Sequence, residues 1–232
     1  MNCGNFIAVC AMMVLAACVP DATQRPELEP LPKVKRTGSP QGLEDFRAVV
    51  RRVEPVAEQV CRESQANLNC DFLILVDERP NLQPNAYQMY QRNGRPVIVF
   101  TSSLLRAMKN RDEVAFALSH EAAHHIEEHI LQTQSSAIAG ILIGAIFGTA
   151  AGLDEGGMDA AADIGGTIGA RSYSKEYELE ADALGAKIAE RAGYDALRGV
   201  LFFQDAADPG DRFLGTHPPN ADRIRIVRRS VG

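Results

Sequence analysis

Apolar positions change their spacing several times along this chain, and each change marks an element. From Gly42 to Ala66, Phe46, Val49, Val50, Val53, Val56, Ala57 and Val60 recur every three or four positions, the period of a helix with one buried face. Pro55 interrupts that run and predicts a kink or break, because proline lacks an N–H and crowds the carbonyl four residues back. Asp71 to Val76 (DFLILV) is a short continuous apolar run, which reads as a buried strand. Ala86 to Tyr90 and Pro96 to Thr101 (PVIVFT) read as two more strands, and the Asn93-Gly94 pair between them predicts a hairpin.

Further on the period is helical again. Asn110-Arg111-Asp112-Glu113 has a capping residue with Glu113 three positions later, and nothing breaks the helix from there to about Gln132. Glu176 to Ala192 is a second helix, stopped by Gly193, and Asp195 to Asp205 is a third. Thr133 to Leu153 is uncharged, with Gly140, Gly144, Gly148 and Gly152 at four-residue spacing. Gly156 to Ala170 is also rich in Gly and Ala but carries Asp159 and Asp163. A membrane span is the first reading of the uncharged stretch.

The N-terminal region has a different character. Phe6 to Ala17 is uncharged and has the length of a signal-peptide core, too short to span a bilayer as a helix. Val19 to Gln41 holds Pro20, Pro26, Pro30, Pro32 and Pro40 with almost no aliphatic pattern, so it reads as an extended tether. The expected organisation is a signal peptide over 1–18, a tether over 19–41 and one domain over 42–232. Across all 232 residues, 46% hydrophobic and 23% charged is the balance of a soluble domain able to bury a core. The net charge of −6, with no basic block, argues against a nucleic-acid partner.

Leu15-Ala16-Ala17-Cys18 resembles the lipobox of bacterial lipoproteins, which implies a lipid on Cys18; a plain secretory signal is the alternative. Val19, with no Asp at that position, favours the outer membrane, so the expected location is the periplasm, lipid-anchored. Cys3 and Cys10 leave with the signal. The remaining pair, Cys61 and Cys70, then reads as a disulfide joining a helix end to the next strand, with two buried thiols as the alternative.

The chemistry concentrates in His120 to His129, HEAAHHIEEH. His120-Glu121-Ala122-Ala123-His124 is H-E-x-x-H, and His125-Ile126-Glu127-Glu128-His129 is H-x-x-E-H. On one continuous helix His124 lies about 40° from His120 and Glu121 about 100°, whereas His125 and His129 fall at about 140° and 180°. The two pairs therefore compete as alternative registers for one ion. In the first, Glu121 reaches a metal-bound water without being a ligand. Catalytic zinc takes three protein ligands and leaves a position for water, so a third ligand comes from elsewhere.

Glu178 and Asp182 stand four apart in Tyr177-Glu178-Leu179-Glu180-Ala181-Asp182. H-E-x-x-H followed some fifty residues later by E-x-x-A-D resembles the M48 family of zinc metallopeptidases, over roughly Asp71 to Arg228. That resemblance implies a mainly helical α+β, zincin-like fold with a small sheet and an active-site helix. It implies one Zn2+ per chain on His120, His124 and Glu178, with Glu121 as general base. Asp182 matches the carboxylate that orients a ligating histidine. Glu180 is the competing register for the third ligand. His129 has a counterpart in the family that is not a catalytic ligand, so the H-x-x-E-H reads as incidental to a charged helix. Thr216-His217-Pro218 with Arg223 looks like the T-H-P…R segment, which implies His217 at the oxyanion or approaching the metal. Asn85-Ala86-Tyr87 resembles the edge along which substrate is laid as an extra strand.

If His124 and Glu178 share one ion, a single membrane crossing between them would part them, and a second would carry Asp159 and Asp163 through hydrocarbon. Residues 135–170 are therefore expected as a helical hairpin over the active site, a lid or a membrane-facing surface. The expected activity is zinc-dependent endopeptidase action on misfolded or stalled envelope proteins. The alternative is a metal-binding assembly factor or chaperone that rarely cuts.

Overall fold

The computed structural model describes residues 40–64, 67–172, 174–205, 210 and 217–232. The signal, Cys18, most of the tether, Tyr173 and Thr216 lie outside the described residues. The fold is mainly helical α+β with one small mixed sheet.

Helix α1 (Pro40–Ser64) starts two residues before the expected Gly42 and runs through Pro55 without a break. Its buried stripe is Phe46, Val49, Val53, Ala57 and Cys61. An interior proline costs a helix about 3 kcal/mol. Burying each large apolar side chain returns about 1.5–3 kcal/mol, so the stripe outweighs the defect. Pro55 itself is exposed, which leaves the carbonyl it deprives within reach of water.

Strands β1 (Leu73–Asp77), β2 (Ala86–Tyr90) and β3 (Pro96–Thr101) form a sheet in the order β1-β3-β2. The hairpin β2–β3 is antiparallel in the register Ala86↔Phe100 to Tyr90↔Pro96, closed at Gly94 with φ 82°. β1 pairs parallel to β3 and begins at Leu73↔Val97, two residues later than Asp71. One register earlier it would meet Pro96, which has no N–H to offer; the Arg95 side chain instead donates to the Asp71 carbonyl at 3.1 Å. Every residue of β3 is buried, as a central strand requires.

Helices α2 (Ser102–Ala107) and α3 (Arg111–Ile126) follow. Asn110 caps α3 by accepting from the Glu113 N–H at 3.0 Å, while Glu113 accepts from the Lys109 N–H at 2.7 Å. α3 is buried on nearly all sides, by α1 and the sheet on one flank and α6 (Ser174–Arg191) and α7 (Ala196–Val200) on the other. α3 also stops earlier than expected. It ends at Ile126, and α4 (His129–Ala150) starts after Glu128 in the left-handed conformation, φ 56° and ψ 30°.

α4 and α5 (Glu155–Arg171) pair as an antiparallel hairpin at close range. A Cβ on Gly140 would stand 2.0 Å from the Gly165 carbonyl oxygen, so the small residues allow backbone against backbone. α4 is long and apolar enough to cross a membrane by length and composition, yet little of it is buried. The expected third helix is divided at Leu201 into α7 and α8 (Phe202–Asp205). A last helix, α9 (Asn220–Val231), packs on α6 through Arg223 and Val227.

A candidate metallopeptidase active site

The i, i+4 spacing on α3 brings His120 and His124 to one face, with Nε2 atoms 3.0 Å apart. α6 crosses this face and delivers Glu178, whose Oε1 is 3.3 Å from His124 Nε2 and whose Oε2 is 3.6 Å from His120 Nε2. The three groups form a potential metal-binding cluster. Bond lengths of about 2.0–2.1 Å in a tetrahedron imply ligand atoms about 3.3 Å apart, so these separations suit zinc. Burial alone would raise the Glu178 carboxyl; hydrogen bonds from His124 and His217, aided by His120 and Arg223, hold it well below the usual carboxylate range.

Behind His120 the other ring nitrogen is fixed. Asp182, fully buried on α6, sits with Oδ1 2.9 Å from His120 Nδ1. Arg223 on α9 clasps the same carboxylate in a fork, Nε to Oδ2 at 2.7 Å and Nη2 to Oδ1 at 2.6 Å. Burial raises the Asp182 carboxyl, but Arg223 and His120 overcome this and leave it lowered. The guanidinium in turn lies over the Phe203 ring at 3.7 Å. Phe203 carried no signal in the sequence, since its role is set by a contact twenty residues away in the chain.

Glu121 lines the cleft beside His120, His124, Glu178 and His217. Burial pushes its carboxyl above the usual range, against the pull of His120 and His124. His217 is largely exposed and reaches Glu178 Oε2 with Nδ1 at 3.3 Å, a hydrogen bond that raises its imidazole. The cleft, about 1020 Å³, is flanked on one side by Gln83, Asn85, Ala86, Tyr87 and Gln88. Among the described residues β2 is an outer strand of the sheet, and its residues border the cleft. Asn85 is tied to Thr101 through its own N–H, 2.9 Å from Oγ1.

The second register divides rather than competing. His125 points the other way, fully buried, with Nε2 2.8 Å from the Asn69 carbonyl and Nδ1 3.2 Å from the Tyr90 hydroxyl. His129 does not share that side, contrary to the angle calculated for an unbroken helix. The turn at Glu128 swings it back until its Nδ1 is 2.9 Å from His124 Nδ1. Burial, with His124 second, depresses the His129 imidazole to about 3, so the ring is neutral. Glu180 stands 3.1 Å from His129 Nε2 rather than among the ligands. Among the described residues, none of 135–170 lines the cleft. Cys61 and Cys70 are disulfide-bonded, with Cα atoms 5.7 Å apart, joining the end of α1 to the approach to β1.

A short mixed sheet beside a helix that presents H-E-x-x-H to a glutamate from α6 defines a metallopeptidase. The chain belongs to peptidase family M48, which residues 47–231 match. A comparison with curated proteins finds no match.

Proposed function

We propose that this metallopeptidase is a zinc-dependent endopeptidase that cuts unfolded or misfolded proteins of the bacterial cell envelope. The observation that carries the reading is the meeting of His120, His124 and Glu178, beside Glu121, in a cleft bordered by an outer strand. An outer strand offers backbone groups to any extended peptide, whatever its sequence, and suits substrates that have lost their fold. Folded proteins rarely present such a segment.

Zinc held by His120, His124 and Glu178 would lower the pKa of a bound water and polarise the scissile carbonyl. Glu121 would accept a proton from water on its carboxylate as the oxygen bonds to the carbonyl carbon, and would return it to the amine as the C–N bond breaks. His217, at the cleft wall, donates a hydrogen bond to the oxyanion. Asp182 and Arg223 hold the ring of His120 in place.

The envelope location rests on Leu15-Ala16-Ala17-Cys18, with a lipid on Cys18 and the outer membrane as its home. The hairpin α4–α5 supports a membrane partner. Among the described residues, every exposed large hydrophobic side chain except Leu197 and Leu201 lies on it or in its turn. We read this surface as resting in the apolar boundary of the bilayer, with the acidic Asp159 and Asp163 turned to water.

The test uses the full chain in mild detergent, assayed for metal content and casein cleavage beside Glu121→Gln. One zinc per chain, with cleavage in the wild type and none in the variant, is expected. Zinc binding with equal action of both proteins on an unfolded client would establish a chaperone instead.

A further inference from the structure

The chain places an unusual group on the back of its second histidine ligand. His120 is backed by a carboxylate, the common arrangement, whereas His124 is backed by another histidine. His124 Nδ1 and His129 Nδ1 lie 2.9 Å apart, and His129 Nε2 lies 3.1 Å from Glu180 Oε2. His129 is buried and stacked on Tyr177, ring centroids 4.6 Å apart and planes 18° from parallel.

Hydrogen-bond counting decides where the protons are. Between the two Nδ1 atoms only one can be a donor. If it were His129, neutral His124 would carry its proton on Nε2, the atom that faces His120 and Glu178 and must offer a lone pair to a metal. His129 Nε2 would then turn a lone pair on the Glu180 carboxylate. The opposite assignment pairs every donor with an acceptor along the chain behind His124: Glu180 accepts from His129 Nε2–H, and His129 Nδ1 accepts from His124 Nδ1–H. His124 Nε2 is left free to bind.

We propose that Glu180 and His129 are positioning residues that fix His124 in its metal-binding tautomer and orientation, forming a carboxylate–histidine–histidine relay that ends at the metal. The inference rests on the zinc-peptidase reading. The backbone is bent to build it: Glu128 adopts a left-handed conformation without a glycine, a strained state that persists where surrounding contacts demand it. Without that residue α3 would continue and carry His129 to the far side.

The experiment measures zinc affinity of the full chain by competition with a chelator. His129→Phe keeps a ring for Tyr177 and removes both hydrogen bonds, and a loss of about 10–100-fold is expected. His129→Asn keeps an acceptor near the Nδ1 position and should recover most of that loss. Glu180→Ala, at an exposed position, should weaken binding less than His129→Phe while leaving the thermal midpoint unchanged. Zinc affinity unchanged in both His129→Phe and Glu180→Ala overturns the relay. A second readout needs no variant: 15N shifts of the zinc-loaded wild type should show His129 protonated on Nε2 and bare on Nδ1. The reverse tautomer also overturns it. A wild type that binds no zinc at all would refute the peptidase reading itself, a different result from a zinc protein indifferent to His129.

Discussion

Gly185 of α6 lies directly against the backbone of His120: a Cβ at Gly185 would stand 2.9 Å from both the His120 amide nitrogen and its Cα. Real Cβ atoms do not come so close to backbone, so this glycine sets the distance between the two helices that share the site. Gly185→Ala should force α6 away from α3 and destabilise the protein by about 1–3 kcal/mol. For a domain of this size that lowers the melting midpoint by roughly 2–4 °C per kcal/mol. Because Glu178 and Asp182 ride on α6, zinc affinity should fall as well. Calorimetry and chelator competition on the same sample check both. Unchanged affinity would mean that α6 does not set the ligand spacing.

Arg223→Met should be among the most destabilising single changes outside the hydrophobic core. Asp182 has no exposure, and removing its guanidinium leaves a buried carboxylate facing only His120. Breaking a buried pair in this way costs about 3–5 kcal/mol. Arg223→Lys should rescue only part, since an ammonium cannot reproduce the fork onto both oxygens. Urea titration of the three proteins gives the order.

Cys61 and Cys70 are nine residues apart, and closing a loop of that size is worth about 2–3 kcal/mol through the unfolded chain. Cys61→Ala/Cys70→Ala should lose that much stability yet keep zinc affinity, because neither cysteine lines the cleft. A reductant should reproduce the loss in the wild type and leave the double variant untouched.

The chain contains no tryptophan, so Phe147→Trp on the exposed side of α4 is a clean reporter. In a Cys18→Ser background that carries no lipid, its emission should move to shorter wavelength on zwitterionic vesicles. Replacing Ile143 and Ile146 by serine should abolish the shift without altering the melting midpoint. Identical emission with and without vesicles would remove the bilayer as the hairpin's partner.

Local signals located much of this architecture, and the misses have physical reasons. Asn93-Gly94 and Asn110 each do their work within a few residues, and the hairpin and the start of α3 fall where they indicate. H-E-x-x-H is local too, because four residues make a helical turn. The stop at Ile126 is not local. His125 to Glu128 are all competent in a helix, and the break answers to burial of Ile126 and to the contacts of His129. Pro55 erred the other way, as a local breaker overruled by a buried stripe. The parallel pairing of β1 with β3, and Phe203 under Arg223, depend on segments distant in sequence.

The left-handed residue at Glu128 has a mechanical consequence. His129 is at once the first residue of α4 and the neighbour of a ligating ring, so the long apolar arm pivots on the very side chain that touches His124. A change in the direction of that arm would therefore have to move the imidazole that faces His124 Nδ1, although beyond Ile130 no described residue of the arm lines the cleft.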